Sequence, residues 1–187
     1  MKIVPYQSNF LKQVQNICVE TADEKFKENA TKVKVLLETY NNYYTEFDKD
    51  FAFVLYDEKT EKVCGYIICA FDFDKYIKKY LAYNCRKIAK ISLKSAVQSA
   101  ADGLVYLNFK KEYPSHLHID ILSEYTNGGW GTKLMETLVE KLKQCHSSGV
   151  CLCVGKDNIR AASFYEKCGF KKLKSLPGAY IMGKKLN

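Results

Sequence analysis

Residues 113–143 read YPSHLHIDILSEYTNGGWGTKLMETLVEKLK, and the order of residue types in this stretch decides the fold. Leu117, Ile119 and Ile121 alternate with His116, His118 and Asp120, the period of two expected of a strand with one apolar and one polar face. Asn127, Gly128, Gly129 and Gly131 follow as a turn whose backbone can approach a ligand without Cβ interference. From Thr132 onward, Leu134, Leu138 and Leu142 recur at helical spacing. A glycine turn feeding a helix N-terminus gathers unpaired N–H donors at the positive end of the helix dipole, which suits a phosphate. The spacing G-x-G-x-x-G of a dinucleotide loop is absent, and Gly131-Thr132-Lys133 has the residues of a nucleoside-triphosphate loop in the wrong order. An anion other than a nucleoside triphosphate is the expectation; the alternative is a turn that serves only to reverse the chain.

Working outward, the upstream chain opens with a short strand at Lys2, Ile3 and Val4, then a helix carrying Phe10, Leu11, Val14, Ile17 and Cys18. A second helix is expected over residues 33–40. Tyr40, Tyr43 and Tyr44 come at its end, covering the core edge or lining an acceptor pocket. Residues 51–56 and 62–70 are two strands joined by the polar loop 57–61, hence an antiparallel hairpin. Gly65 inside the second strand marks a bulge or a close backbone approach. Residues 71–113 read as helix, with Tyr76, Tyr80 and Tyr83 at helical intervals. Downstream, residues 150–154 form a strand, Asn158 opens a helix that Gly169 ends, and strands at 171–174 and 179–184 finish the chain.

The chain has 187 residues, enough for one well-buried domain and short for two, and 47% of them are hydrophobic. No apolar stretch approaches a membrane span. The first residues, MKIVPYQSNFLKQ, break any apolar run at once, so no leader is expected and the location is cytoplasmic. Eight cysteines occur without a C-x-x-C pair; Cys151 and Cys153 lie two apart on a strand, unlike paired zinc ligands, so no metal is expected. Reduced thiols acting as small hydrophobes fit a reducing compartment. The net charge of +8 concentrates in two clusters, one from Lys75 to Lys94 and one from Lys171 to Lys185. Nucleic-acid binding is one reading of them. No nucleic-acid fold signature accompanies them, so a solvated basic face is expected.

Thr126-Asn127-Gly128-Gly129-Trp130-Gly131 and the run Asn158-Ile159-Arg160-Ala161-Ala162-Ser163-Phe164-Tyr165-Glu166-Lys167-Cys168-Gly169-Phe170 resemble two signatures of the GNAT superfamily of acetyl-CoA-dependent N-acetyltransferases. The first falls on Q/R-x-x-G-x-G/A, the second on N-x-x-A-x-x-F-Y-x-K-x-G-F. More narrowly, YPSHLHIDIL and the ending AYIMGKKL look like bacterial GNATs related to the acetyltransferase-like domain of some O-GlcNAc hydrolases. The resemblance implies an α/β fold: a mixed, mostly antiparallel central sheet with a splayed parallel strand pair, flanked by helices. It implies one domain over 1–187 with a helical insertion at about 72–112, which would close the acceptor site or form a dimer contact.

It also implies acetyl-CoA as cofactor and a small-molecule, peptide or protein amine as acceptor. The pyrophosphate would lie on amides of Thr126, Asn127, Gly128, Gly129, Trp130, Gly131 and Thr132. The pantetheine would run along Ile119 and Ile121, with Asn158 and Tyr165 from the following helix. Tyr165 would protonate the departing sulfur, and Asp120 or His118 would take the proton from the amine. Trp130 would pack on the cofactor or on the helix of Tyr165. Thr126 stands where the family usually has Gln or Arg, removing one donor, so a non-catalytic acyl-CoA-binding or interaction module is the alternative.

Overall fold

The computed structural model describes residues 1–186. β1 (Lys2–Pro5) leads into α1 (Leu11–Thr21), α2 (Ala30–Tyr40) and α3 (Asn42–Phe47), followed by the hairpin β2 (Ala52–Asp57) and β3 (Lys62–Ala70). Residues 71–113 hold α4 (Phe73–Lys79), a π-helical turn (Tyr80–Cys85), α5 (Arg86–Ala89) and α6 (Leu93–Leu104). Then come β4 (Ser115–Ile121), α7 (Trp130–Gln144), β5 (Gly149–Gly155), α8 (Ile159–Lys167), β6 (Lys171–Ser175) and β7 (Ala179–Lys185). The seven strands make one sheet in the order β1-β2-β3-β4-β5-β7-β6. Every neighbouring pair is antiparallel except β4 and β5.

That exception positions the site. β4 and β5 pair only at Ser115↔Val150 and His116↔Cys151, and beyond those residues the strands part. On its other side β4 stays zipped to β3 along its whole length, from Ala70↔His116 to Gly65↔Ile121. Gly65 permits the close end of this pairing, since a Cβ there would stand 2.8 Å from Cγ1 of Ile121. The register also slips between Leu55 and Tyr56, so the bulge expected at Gly65 is present beside it.

The alternation along β4 divides the core in two. Leu117, Ile119 and Ile121 join the layer beneath α7 and α8, where Leu134, Leu138 and Leu142 are buried. His116, His118 and Asp120 face the opposite layer, beneath α1 to α6. There Val14 and Ile17 pack with Tyr43, Tyr44, Tyr76 and Tyr80. Of the tyrosines expected at the core edge or over a pocket, Tyr43 and Tyr44 lie deeper, each 1% exposed, while Tyr40 is half-buried at the margin of the core. Tyr83, expected on the same face as Tyr76 and Tyr80, is 55% exposed instead. The π turn adds a residue to the repeat and brings Asn84 and Cys85 inward in its place.

Cys18, Cys64, Cys69, Cys85 and Cys151 are buried, Cys145 and Cys168 partly so, Cys153 is exposed, and all eight are free thiols. No group of three metal-ligating side chains occurs among the described residues. No helix among them is long and apolar enough to cross a membrane.

Candidate active site

Where β4 and β5 part, a cavity of about 530 Å³ opens between the two faces of the sheet. Ile119, Asp120 and Ile121 of β4 form one wall, and Asn158, Arg160, Ala161, Phe164 and Tyr165 form the other. Thr126, Gly129, Gly131 and Thr132 close the end at the start of α7, and Glu20 and Thr21 at the end of α1 border it as well.

The α7 end leaves backbone donors unpaired. Gly129 caps the helix with φ of 72°, a left-handed backbone that a side chain would strain. The helix starts at Trp130, two residues earlier than its leucine spacing indicates. The first helical amides have no acceptor one turn back, and the ladder begins with Lys133 N–H donating to the carbonyl of Gly129 at 3.2 Å. Asn127, Gly128 and Trp130 do not line the cavity. The Trp130 indole folds back over Gly128, where a Cβ would meet it at 2.8 Å, and Lys133 Nζ stands 4.3 Å from its ring. The Thr126 hydroxyl donates to the Ser123 carbonyl at 2.9 Å, so it is spent within the turn. Arg160 supplies a cation instead, and its Nη2 also reaches Asn127 Oδ1 at 3.4 Å. Its position in the sequence run was visible, but its chemistry was not, because the signature leaves that residue free.

α8 starts where its cap dictates: the Asn158 carboxamide oxygen accepts from Ala161 N–H at 3.0 Å. About two turns on, Tyr165 is 9% exposed and packs on Phe164 and Phe170. Its hydroxyl has no hydrogen-bond partner in the protein and is not sealed, so it opens on the cavity. Burial raises its pKa, and the charge of Asp120 raises it further, which keeps the phenol protonated.

Asp120 is half-buried across from Tyr165. Burial raises its pKa above the usual carboxylate value, against a hydrogen bond from the Tyr66 hydroxyl of the paired strand. His118 does not line this cavity. It borders a much smaller one, of about 20 Å³, with Tyr40, Tyr44, Tyr80 and Asp102. Burial pushes its pKa down to about 4. The β4 alternation thus put Asp120 and His118 on the same face correctly, and packing separates their surroundings.

The α/β sheet is opened at its one parallel pair, with a donor-rich helix start at one end of the opening and a free phenol in it. Residues 19–170 match the Acetyltransferase (GNAT) family, and the chain belongs to it. It is similar to the uncharacterized protein YdhI of Bacillus subtilis (strain 168), 32% identical over 68 residues; these cover 36% of this chain and 42% of that protein. The fold is similar to that of SsHAT, with a TM-score of 0.86 at 23% identity over 100% of this chain and 98% of the other. It is also similar to the PaiA N-acetyltransferase of Thermoplasma acidophilum, solved in complex with coenzyme A, with a TM-score of 0.62 at 14% identity over 98% of each chain.

Proposed function

We propose that this chain transfers the acetyl group of acetyl-CoA to an amine, with Tyr165 as acid and Asp120 as base. The observation that carries the reading is the unpartnered Tyr165 hydroxyl opening on the cavity opposite Asp120. The residues fit the cofactor: amides of Gly131 and Thr132 at the α7 start for the pyrophosphate, Arg160 for a further phosphate charge, and Ile119 and Ile121 beside the pantetheine. When bound, the cofactor supplies an activated thioester carbonyl.

The chain's own residues then move two protons. Asp120 takes one from the acceptor ammonium, and its raised pKa suits it to that task better than an ordinary carboxylate. As the nitrogen bonded to the acetyl carbon and the carbon–sulfur bond broke, Tyr165 would give its proton to the sulfur, and the resulting phenolate would regain one from the protonated amide nitrogen, leaving a neutral amide and thiol. The two transfers are coupled. An ionised Asp120 holds the Tyr165 pKa up, so protonating Asp120 makes the phenol a better acid as the sulfur needs it.

The acceptor in this reading is a small amine or the amine of a peptide or protein. The finer likeness of YPSHLHIDIL and AYIMGKKL to the GNATs related to O-GlcNAc hydrolases belongs to the same proposal, as does a reducing, cytoplasmic setting for eight free thiols. Calorimetry with acetyl-CoA and thiol release over an amine panel test the whole. Tyr165→Phe is expected to lower turnover by about 100-fold or more with little change in cofactor affinity. Unchanged turnover removes Tyr165 from the mechanism. Binding without thiol release from any amine makes the chain an acyl-CoA-binding module instead.

A further inference from the structure

Asp120 is held by a side chain that does not itself line the cavity. Tyr66 lies directly opposite it on β3 and is 0% exposed. The Tyr66 hydroxyl donates to Asp120 Oδ2. Both residues sit on strands paired without a break from Gly65 to Ala70, and Gly65 lets the backbones close: a Cβ there would stand 3.0 Å from the Asp120 carbonyl oxygen. Cys18 of α1, also buried, sets its thiol against the same hydroxyl. Burial, with the charge of Asp120 beside it, pushes that thiol up to about 12, so it stays protonated and leaves the carboxylate as the stronger acceptor for the phenol.

The two oxygens of the carboxylate therefore differ. Oδ2 is occupied by Tyr66. Oδ1 has no committed donor among the described residues and is not sealed, in a residue that lines the cavity. The Thr21 hydroxyl stands near the carboxylate, but its proton goes to the Ile17 carbonyl at 2.8 Å. A carboxylate taken out of water needs a donor of this kind. Burial works against the charge of Asp120, and the Tyr66 hydrogen bond is the largest influence that supports it.

We propose that Tyr66 is a positioning residue for proton removal: it holds Oδ2, fixes the plane of the carboxylate, and leaves Oδ1 as the atom that meets the acceptor. Its part in catalysis rests on the acetyltransfer reading; its hold on Asp120 does not. The proton passes from the acceptor nitrogen to Oδ1, and Tyr66 keeps its own throughout. A carboxylate bonded at one oxygen presents the other in one place, whereas a free one turns about its soft terminal torsion. Around Asp120 stand Tyr66 from β3 and Cys18, Glu20 and Thr21 from α1. Tyr165 and Arg160 of α8 share the cavity with it, and His118 is its neighbour on the same strand face. His118 is neutral above about pH 4, its Nε2 lying 3.0 Å from the Tyr44 hydroxyl, which also meets Nε2 of His116 at 3.0 Å. Cys18 and Tyr165 stay protonated through the neutral range. Of the buried groups, Asp120 is thus the one that changes charge in weak acid, and Tyr66 is the donor that sets where.

The test is carbon NMR on the full chain with carboxyl-labelled aspartate, the Asp120 resonance being assigned by its loss in Asp120→Asn. Tyr66→Phe keeps the ring and removes the hydroxyl. Because the lost donor favoured the ionised form, the Asp120 midpoint is expected to rise by about one to two pH units. An unmoved midpoint overturns the proposal. Cys18→Ala loosens the packing around the phenol without removing its bond, and should leave the midpoint in place. An equal shift in that variant assigns the effect to packing and overturns the proposal too. If Tyr66→Phe does not fold, the wild type supplies the readout: the resonance of the sealed Tyr66 hydroxyl proton should move as Asp120 titrates, and a stationary one overturns the proposal. Where an amine is acetylated, the acid limb of kcat/KM should move up with the midpoint in Tyr66→Phe. On the alkaline plateau kcat should fall about tenfold as the carboxylate turns, with KM for acetyl-CoA changed little. A rate profile that stays put while the midpoint moves overturns the part in catalysis. If the midpoint moves and no amine is acetylated, the acetyltransfer reading fails and the hold on Asp120 stands.

Discussion

Asp120, His116 and His118 share one strand face, yet acid affects them oppositely. Both histidine pKa values are depressed in the fold, His118 from 6.5 to about 4. As pH falls below about 6.5 the unfolded chain takes up these protons first, so the stability they contribute is present above that pH and lost down to about 4. Asp120 runs the other way: its pKa is raised in the fold, so its ionised form costs stability and acid relieves it. At 1.36 kcal/mol per pKa unit, His118 alone should remove about 2 kcal/mol between pH 7.5 and pH 5. Urea unfolding of the wild type and of His118→Asn at the two pH values checks this, and the variant should lose less. Which side chains share the β4 face was legible in its alternation. The phenol that joins the two histidines was not: Tyr44 lies 72 residues from His116, and nothing in its own helix announces the contact. Arg160 escaped notice for a different reason, being an exposed cation at a position that the sequence run leaves free.

At the scale of elements, α8 is fixed at both ends by its sequence. Asn158 caps the start. At the far end Gly169 has φ of 86°, with its N–H donating to the Glu166 carbonyl at 2.9 Å and Phe170 N–H donating to the Tyr165 carbonyl at 3.0 Å. This closure packs the Phe170 ring 5.8 Å from that of Tyr165, so the end of the helix also positions the Tyr165 side chain. Gly169→Ala should cost about 1–2 kcal/mol in thermal or denaturant unfolding, because a side chain is forced into a left-handed backbone. It should also lower turnover more than it weakens CoA binding, since the anion site lies at the other end of the helix. These ends could be read from residue types alone. The run from Tyr76 to Tyr83 could not, because a π turn changes the period within a segment that otherwise reads as continuous α-helix. Residues on the later turns therefore land a position away from where an unbroken 3.6-residue repeat places them.

For the molecule as a whole, the net charge of +8 and the two acidic groups on the cavity act on different ligands. Arg160 and the α7 start place positive charge and free donors on the cavity wall, while Glu20 and Asp120 place carboxylates on it. The overall positive field should speed encounter with a multiply charged anion. Raising ionic strength from about 0.02 M to about 0.5 M should slow CoA association by about tenfold, measured by stopped flow, with the rate of amine entry much less affected. An insensitive association rate would mean that the two lysine clusters face away from the path of entry.

Two residue pairs are all that join β4 to β5, so the seven-stranded layer is in effect a four-strand panel and a three-strand panel sharing a short hinge. Peptide groups past that hinge have lost their natural neighbour, and an amide-bearing arm laid between the panels can take that neighbour's place. Occupancy should therefore stiffen the molecule across its full width, slowing hydrogen exchange in residues 117–121 and 152–155 together and leaving the β1–β2 margin as it was.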